Sequence, residues 1–246
     1  MHKKIEENQT VPPKIGAFYQ CYKQPKAFQH VLSNFRKIYP DTDVIIFSDA
    51  GDDFNEYANS LNCKFIYEEK RTGNGISASF DKKEKLISWF KRLIYACEHI
   101  KEQYIMILED DVWVKKPIEE LSYDLNGVNK GEKMGKKITA FLKGRNSSIP
   151  KDCENYFYGG FGGSVINKNI ILNNKEKIIE VIDAIDSQNL TDKIFITDYW
   201  LSIVYLYFGA TIGQYNGLCE TWYLTYPFMK WAGKISVLHH YKDLYE

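Results

Sequence analysis

A short apolar run that stops at three consecutive acids constrains this chain more than any other stretch. Tyr104-Ile105-Met106-Ile107-Leu108 leads directly into Glu109-Asp110-Asp111. A continuous, partly β-branched run of this length predicts a strand buried on both faces of a parallel or mixed sheet. Ligands of open α/β sheets gather outside the carboxyl ends of such strands. Three neighbouring carboxylates placed there repel one another unless a cation or hydrogen-bond donors intervene. A hard divalent ion such as Mg²⁺ or Mn²⁺, held by one or two carboxylates and by substrate phosphates, meets that need. The plain alternative is a solvated acidic turn closing a strand.

The stretches before the acids alternate between strand and helix. Residues 14–21 read as a first, central strand. Pro25 then opens a helix in which Phe28, Val31, Leu32, Phe35 and Ile38 recur at helical spacing until Tyr39-Pro40. Residues 43–49 read as a second strand, 54–61 as a short helix and 63–67 as a third strand, which predicts a βαβ sheet. Asp49 ends the second strand, where a carboxylate can accept hydrogen bonds from a nucleotide base or ribose; a solvated turn over 48–53 is the alternative. No G-x-G-x-x-G follows the first strand, which argues against a dinucleotide-binding dehydrogenase. Residues 71–79 read as a mobile, glycine-bearing surface loop. Residues 82–100 read as a long helix with a Leu86, Phe90, Leu93, Ile94, Cys97 stripe, and with Lys85, Lys91 and Arg92 beside or opposite it.

Beyond the acids, 112–114 read as an extension of the strand and Pro117 as the start of a short acidic helix. Residues 123–137 read as an exposed connection and 138–142 as a further strand. Residues 156–166 set Gly159, Gly160, Gly162 and Gly163 among aromatics, which lets a backbone pass close to a ligand with its amides exposed; a glycine-rich bend in the sheet is the alternative. Residues 175–185 have helical period. Thr197 reads as the N-cap of an apolar helix reaching 208, with Asp198 in its first turn. Residues 215–231 are crowded with Tyr, Trp and Phe, as suits a carbohydrate platform or a folded-over core loop. A last β-run, 237–242, contains His239, His240 and Lys242.

At 246 residues and 44% hydrophobic, the chain can bury a substantial core, and a single domain over 1–246 is expected. Thirty-two basic residues balance 32 acidic ones, which argues against a nucleic-acid binder driven by phosphate neutralisation. Arginine is confined to Arg36, Arg71, Arg92 and Arg145, so an arginine in a cleft is informative. Five widely spaced cysteines without a C-x-x-C suggest neither a disulfide framework nor a structural zinc, and fit a reducing compartment. Residues 1–13 are polar, and no run approaches the ~18 apolar residues of a membrane span, so a soluble, cytoplasmic protein is expected.

The order of these motifs resembles the GT-A glycosyltransferases, which carry a D-x-D-type motif at the end of a central strand. Glu109-Asp110-Asp111 looks like the EDD form found in N-acetylglucosaminyltransferase I and in the lipopolysaccharide and procollagen glycosyltransferases. Over nearly its whole length the chain is similar to the small soluble glycosyltransferases of large DNA viruses of algae and protists, the chloroviruses among them. The resemblance implies an α/β fold: one GT-A domain with a central mixed, mostly parallel sheet flanked by helices. It implies a nucleotide-binding half over 14–114 and an acceptor-binding half over 115–246. It places Mn²⁺ or Mg²⁺ on Asp111 and His239, with His240 left open because strand neighbours face opposite ways. It assigns Asp49, Arg92, Glu109, Asp110 and Lys242 to the donor, Tyr19 or Tyr22 to stacking on it, and Gly160 and Gly162 to support of the donor sugar. For Arg92, a solvent-exposed charge is the alternative.

The expected activity is metal-dependent transfer of a hexosyl, deoxyhexosyl or pentosyl group from a nucleotide-diphosphate sugar, UDP-linked, to a glycan or glycoprotein acceptor. Inversion is expected, with Asp198 as the base and Glu220 in reserve. Neither nucleic acid nor a membrane span enters this reading, and the compartment is the cytoplasm, of the host cell if the protein is viral. Two other classes compete: a carbohydrate-binding module that uses the aromatic loops, and a metal-dependent nucleotidyltransferase or phosphatase, which calls for a second cluster of carboxylates.

Overall fold

Near-continuous apolar sequence makes β1 (Ile15–Cys21) a strand buried on both faces. The computed structural model describes residues 12–70, 79–80, 83–127, 134–145, 149, 159–190, 195–220 and 233–239. α1 (Pro25–Ile38) starts with Pro25 in its first turn, where the missing amide hydrogen costs nothing. Its Phe28, Val31, Leu32 and Phe35 are at most 1% exposed. Each such burial contributes about 1.5–3 kcal/mol before the entropy of ordering is subtracted. These side chains share one core with Ile15, Ala17, Tyr19 and Cys21 of β1. Phe18, on the other face of the strand, joins a second core.

β2 (Val44–Asp49), α2 (Asn55–Ser60) and β3 (Lys64–Glu68) follow, and the three strands run parallel. After β4 (Ser79–Phe80), α3 (Lys83–His99) covers the second core with Leu86, Phe90, Leu93 and Cys97. It leads to β5 (Tyr104–Leu108), which lies parallel to β1 on the side away from β2. The remaining elements are β6 (Trp113–Val114), β7 (Leu125–Gly127), α4 (Lys136–Arg145), β8 (Val165–Asn167), α5 (Lys168–Asn174), α6 (Ile178–Ser187), β9 (Phe195–Ile196), α7 (Thr197–Tyr207), β10 (Ile212–Gln214), β11 (Leu218–Glu220) and β12 (Val237–His239). The main sheet has seven strands in the order β10-β7-β8-β5-β1-β2-β3. β8 runs against both its neighbours and the other pairs are parallel, so the sheet is mixed and mostly parallel, as expected. Strands from both halves of the chain share it. A three-stranded sheet, β11-β12-β6, and the β4-β9 pair complete the strands.

Four local expectations are overturned. Residues 112–114 do not prolong β5: the Val112 amide turns back to the Glu109 carbonyl at 3.1 Å, and β6 joins a different sheet, antiparallel to β12. No helix starts at Pro117. The amides of Lys115 and Lys116 both go to the Ser236 carbonyl and that of Ile118 to the Tyr39 hydroxyl, so the segment is fastened to the chain beside β12 and to the end of α1. Residues 125–127, expected in an exposed connection, form β7 inside the sheet. There the fully buried Asn126 side chain bonds the Tyr123 main chain through both its amide nitrogen and its oxygen. Residues 138–142 form a helix and not a strand. Ile138 and Leu142, four apart, are fully buried, a spacing that a mostly apolar run of five residues cannot distinguish from a buried strand. The 71–78 loop, Tyr156 to Tyr158 and most of the aromatic stretch 215–231 lie outside the described residues.

Arg36 ties the first βαβ unit together. It is 8% exposed, and its guanidinium donates to the carbonyls of Tyr39, Pro40, Thr42, Leu61 and Asn62 and to the Cys63 sulfur. One planar fork thus satisfies the turn after α1 and the turn after α2. Arg36→Met fills the volume but removes the donors, and each buried acceptor left unsatisfied costs about 1–3 kcal/mol. Urea denaturation is expected to show a loss of about 3 kcal/mol or more. A loss below about 1 kcal/mol would mean that water takes over these carbonyls.

Candidate metal centre

The acids stand where the apolar packing of β5 ends. Leu108 is 1% exposed, Glu109 and Asp110 are half-buried, and Asp111 is 7% exposed. The turn closed by the Val112 amide carries the chain into β6. β12 is registered on β6, with Leu238 opposite Trp113 and Val237 opposite Val114, so the next residue, His239, is brought back towards the acids. Its Nε2 lies 3.4 Å from Glu109 Oε2 and 3.5 Å from Asp111 Oδ1. One ligand atom from each of the three residues falls within 4.8 Å of the others. Two carboxylates and an imidazole at this spacing can hold a divalent ion, and the donor set of oxygens with one nitrogen fits Mn²⁺ better than an ion restricted to oxygen. His239 is 2% exposed, and its ring is stacked on Phe161 with centroids 5.0 Å apart.

Asp110 turns to a different partner. Its Oδ1 accepts a 2.6 Å hydrogen bond from the Tyr19 hydroxyl. The Tyr19 ring is fully buried and stacked on Phe28, which is stacked in turn on Phe54. Tyr19 therefore offers the site its hydroxyl and not a ring face, contrary to the stacking role expected of it. Tyr22 is half-buried. Burial pushes the Asp110 carboxyl up to about 7; the Tyr19 hydrogen bond opposes this, and the charges of Asp111 and Glu109 add to it.

Arg92 is not the solvent-exposed charge that the helix pattern allowed. It is 3% exposed and donates through Nη1 to Asp49 Oδ1 at 2.9 Å and through Nε to Glu68 Oε2 at 3.0 Å, with Nη2 also on Glu68. Asp49, itself fully buried, and Glu68 face each other in the parallel register of β2 and β3. Two residues expected to bind the donor thus bind each other, at the carboxyl end of the sheet. Cys21, at the end of β1, has its thiol pushed well up by burial and further by Asp110 and Asp49, so it is an inert packing group.

The glycine segment lies along the end of β5. The Gly163 amide donates to the Ile107 carbonyl at 2.7 Å and the Ile107 amide to the Ser164 carbonyl at 2.9 Å. The expectation of amides exposed to a donor fails at Gly160, whose N–H goes to the Asp198 carbonyl at 3.3 Å. A β-carbon on Gly160 would strike Leu201, and one on Gly162 would strike His239 and Val112, so packing within the chain demands both glycines. Asp198 is in the first turn of α7, 4% exposed, and accepts from Thr197 Oγ1 at 3.2 Å. Thr197 is the first helical residue and not a cap preceding the helix. His240, Lys242 and the side chain of Glu220 lie outside the described residues.

Sequence reasoning missed Glu109 as a member of the metal cluster, Glu68 as a partner of Arg92, and Phe161 as the support of His239. Register is the signal that finds Glu68, because the third strand pairs it with Asp49. The positions of Glu109 and Phe161 depend on turns that no pattern announces.

No family model and no curated protein sequence matches the chain. Solved structures do. The galactosyltransferase LgtC, in complex with donor and acceptor sugar analogues, superposes with a TM-score of 0.51 at 12% identity over 92% of this chain and 87% of that one. An active-site mutant of LgtC gives 0.53 at 13% identity over the same shares. Mouse xyloside xylosyltransferase 1 in its apo form gives 0.52 at 10% identity over 92% of this chain and 97% of its own. The fold is therefore that of the GT-A glycosyltransferases.

The raised Asp110 value makes a pH prediction. Between 3.8 and about 7 the folded chain holds a proton that the unfolded chain releases. The contribution of Asp110 to stability is thus fully present below the lower value and lost as pH rises through the upper one. Urea denaturation of metal-free protein across this range is expected to show wild-type stability declining with pH relative to Asp110→Asn. Mn²⁺ is expected to flatten the difference. Parallel profiles in the absence of metal would contradict it.

Proposed function

We propose that the protein is a metal-dependent glycosyltransferase that moves a sugar from a nucleotide-diphosphate donor, UDP-linked, to a glycan acceptor. The observation that carries this reading is the convergence of Glu109, Asp111 and His239 at the carboxyl end of β5 in a fold shared with a galactosyltransferase and a xylosyltransferase. Glu109, Asp111 and His239 would hold a Mn²⁺ or Mg²⁺ ion, which would supply positive charge against a departing diphosphate. Asp110, anchored by Tyr19 apart from those three, belongs to the donor side, and the Arg92 pair with Asp49 and Glu68 shapes the nucleotide end of the sheet. Lys242 and the glycine segment remain on the donor side of this reading, and Tyr22 is the remaining candidate to stack on the base.

Residues 14–114 then form the donor half and 115–246 the acceptor half, with His239 reaching across. Asp198 removes the acceptor proton in an inverting transfer. Its helix is tied to the glycine segment through the Gly160 amide, which supports its place beside the sugar. Hexosyl, deoxyhexosyl and pentosyl donors all fit the reading. Kinship with the glycosyltransferases of large DNA viruses rests on motif order, and a cytoplasmic site of action on the widely spaced cysteines and the lack of a long apolar run. Among the described residues no helix is long and apolar enough to cross a membrane.

Calorimetric titration with Mn²⁺ and UDP tests the reading: each is expected to tighten the other, whereas sugar binding without nucleotide would favour a carbohydrate-binding module. A panel of nucleotide sugars, screened for metal-dependent hydrolysis, identifies the donor. Asp111→Asn is expected to fold and to lose metal-dependent donor binding, since an amide lacks the charge to hold a hard cation. Asp198→Asn is expected to keep UDP and Mn²⁺ binding while transfer falls by roughly 10² to 10⁴, the usual worth of a general base. Near-normal transfer by that variant would remove Asp198 from the base role.

A further inference from the structure

A β-carbon built on Gly162 would lie 2.7 Å from His239 Cδ2, 2.9 Å from His239 Nε2 and 2.7 Å from Val112 Cγ2. All three distances are closer than carbon contacts tolerate. Backbone conformation is not what demands glycine here. Gly163, beside it, has a φ of 86°, whereas Gly162 is outside the left-handed region. The space Gly162 leaves is filled by the edge of the imidazole that carries Nε2, the atom facing Glu109 and Asp111.

Phe161 holds the same ring from another direction. It is 1% exposed and lies nearly parallel to the imidazole, with an interplanar angle of 19°. Val112, fully buried, is as close to that β-carbon as the ring is, so a methyl group there meets two buried side chains at once. Strand pairing of β12 fixes the His239 backbone at the same time. An extra carbon at position 162 therefore displaces the ligating edge of the ring.

We infer that Gly162 and Phe161 are positioning residues for the metal centre: together they form a seat that aims His239 Nε2 at Glu109 and Asp111. This deepens the glycosyltransferase reading and rests on its metal site. It gives the glycine segment a task independent of the donor sugar.

The test titrates Mn²⁺ alone into the full chain, without nucleotide, and follows the free-ion signal by electron paramagnetic resonance. Unfolding curves report whether each variant folds. Gly162→Ala is expected to weaken Mn²⁺ binding by about 10 to 100-fold, the range for residues that orient a ligand. Adding Val112→Ala is expected to restore part of the loss by opening one of the two blocked directions. Phe161→Leu, which keeps the glycine, is expected to weaken binding less than Gly162→Ala. Wild-type Mn²⁺ affinity in folded Gly162→Ala would overturn the inference. If that variant does not fold, wild-type affinity in folded Phe161→Leu overturns it.

The imidazole nitrogen resonances of His239, recorded without metal, give a second readout. They are expected to move in Gly162→Ala and in the double variant. A wild-type protein that binds no Mn²⁺ but whose His239 signals move in these variants keeps the seat and loses the metal assignment. Unmoved signals sink the seat.

Discussion

Like charges gathered at the end of a buried strand are the constraint on which this structure depends. Glu109, Asp110 and Asp111 follow one another where the apolar packing of β5 gives out, and three carboxylates cannot share that point unopposed. The chain separates them. Asp110 is drawn away to the Tyr19 hydroxyl, while Glu109 and Asp111 face His239. The aromatic stack beneath Tyr19 and the antiparallel register of β12 on β6 both serve that separation. A tyrosine hydroxyl meets one acid and an imidazole meets the other two, which leaves Glu109, Asp111 and His239 spaced so that they could hold a dication.

The arginines show a second way of handling buried charge. Arg92 is set between two carboxylates, so its pairing depends on their ionisation. The partners of Arg36 are main-chain carbonyls and a thiol, which do not become charged acids at any ordinary pH. With four arginines in the chain, two are spent inside the first half of the sheet. Both stiffen the frame that presents the carboxyl ends of the strands.

Much of this frame is legible in the sequence. β1, α1, β2, α3 and β5 follow from runs that are apolar along most of their length or at one clear period, so pattern and burial agree, and α2 and β3 follow from the alternation around them. After Asp111 the agreement ends, because the elements are short. Residues 138–142, four of the five apolar, satisfy a strand and a helix equally, and the three-residue strand β7 carries a buried asparagine where the pattern calls for an apolar residue. At the site, residue type reveals which side chains matter, and geometry reveals how they are shared. Asp49 and Arg92 each read as ligand-binding groups, yet Arg92 of α3 reaches Asp49 and the Glu68 that the parallel register sets beside it. The glycines read as room for a ligand, whereas the room is taken by His239 and Leu201.

Glu109 and His239 are 130 residues apart in the chain, yet their side chains lie within 3.4 Å. Pairings among β1, β2, β3 and β5 join residues nearer in sequence, at most 89 apart (Ile15 with Tyr104), and so have a somewhat smaller loop-closure cost to overcome. A partly folded chain can therefore possess the sheet and the acids without the imidazole that joins them. In that state the carboxylates are three exposed, weakly selective oxygen donors. Any choice of ion by this site would then wait on the docking of β12, because the nitrogen donor arrives only with that strand.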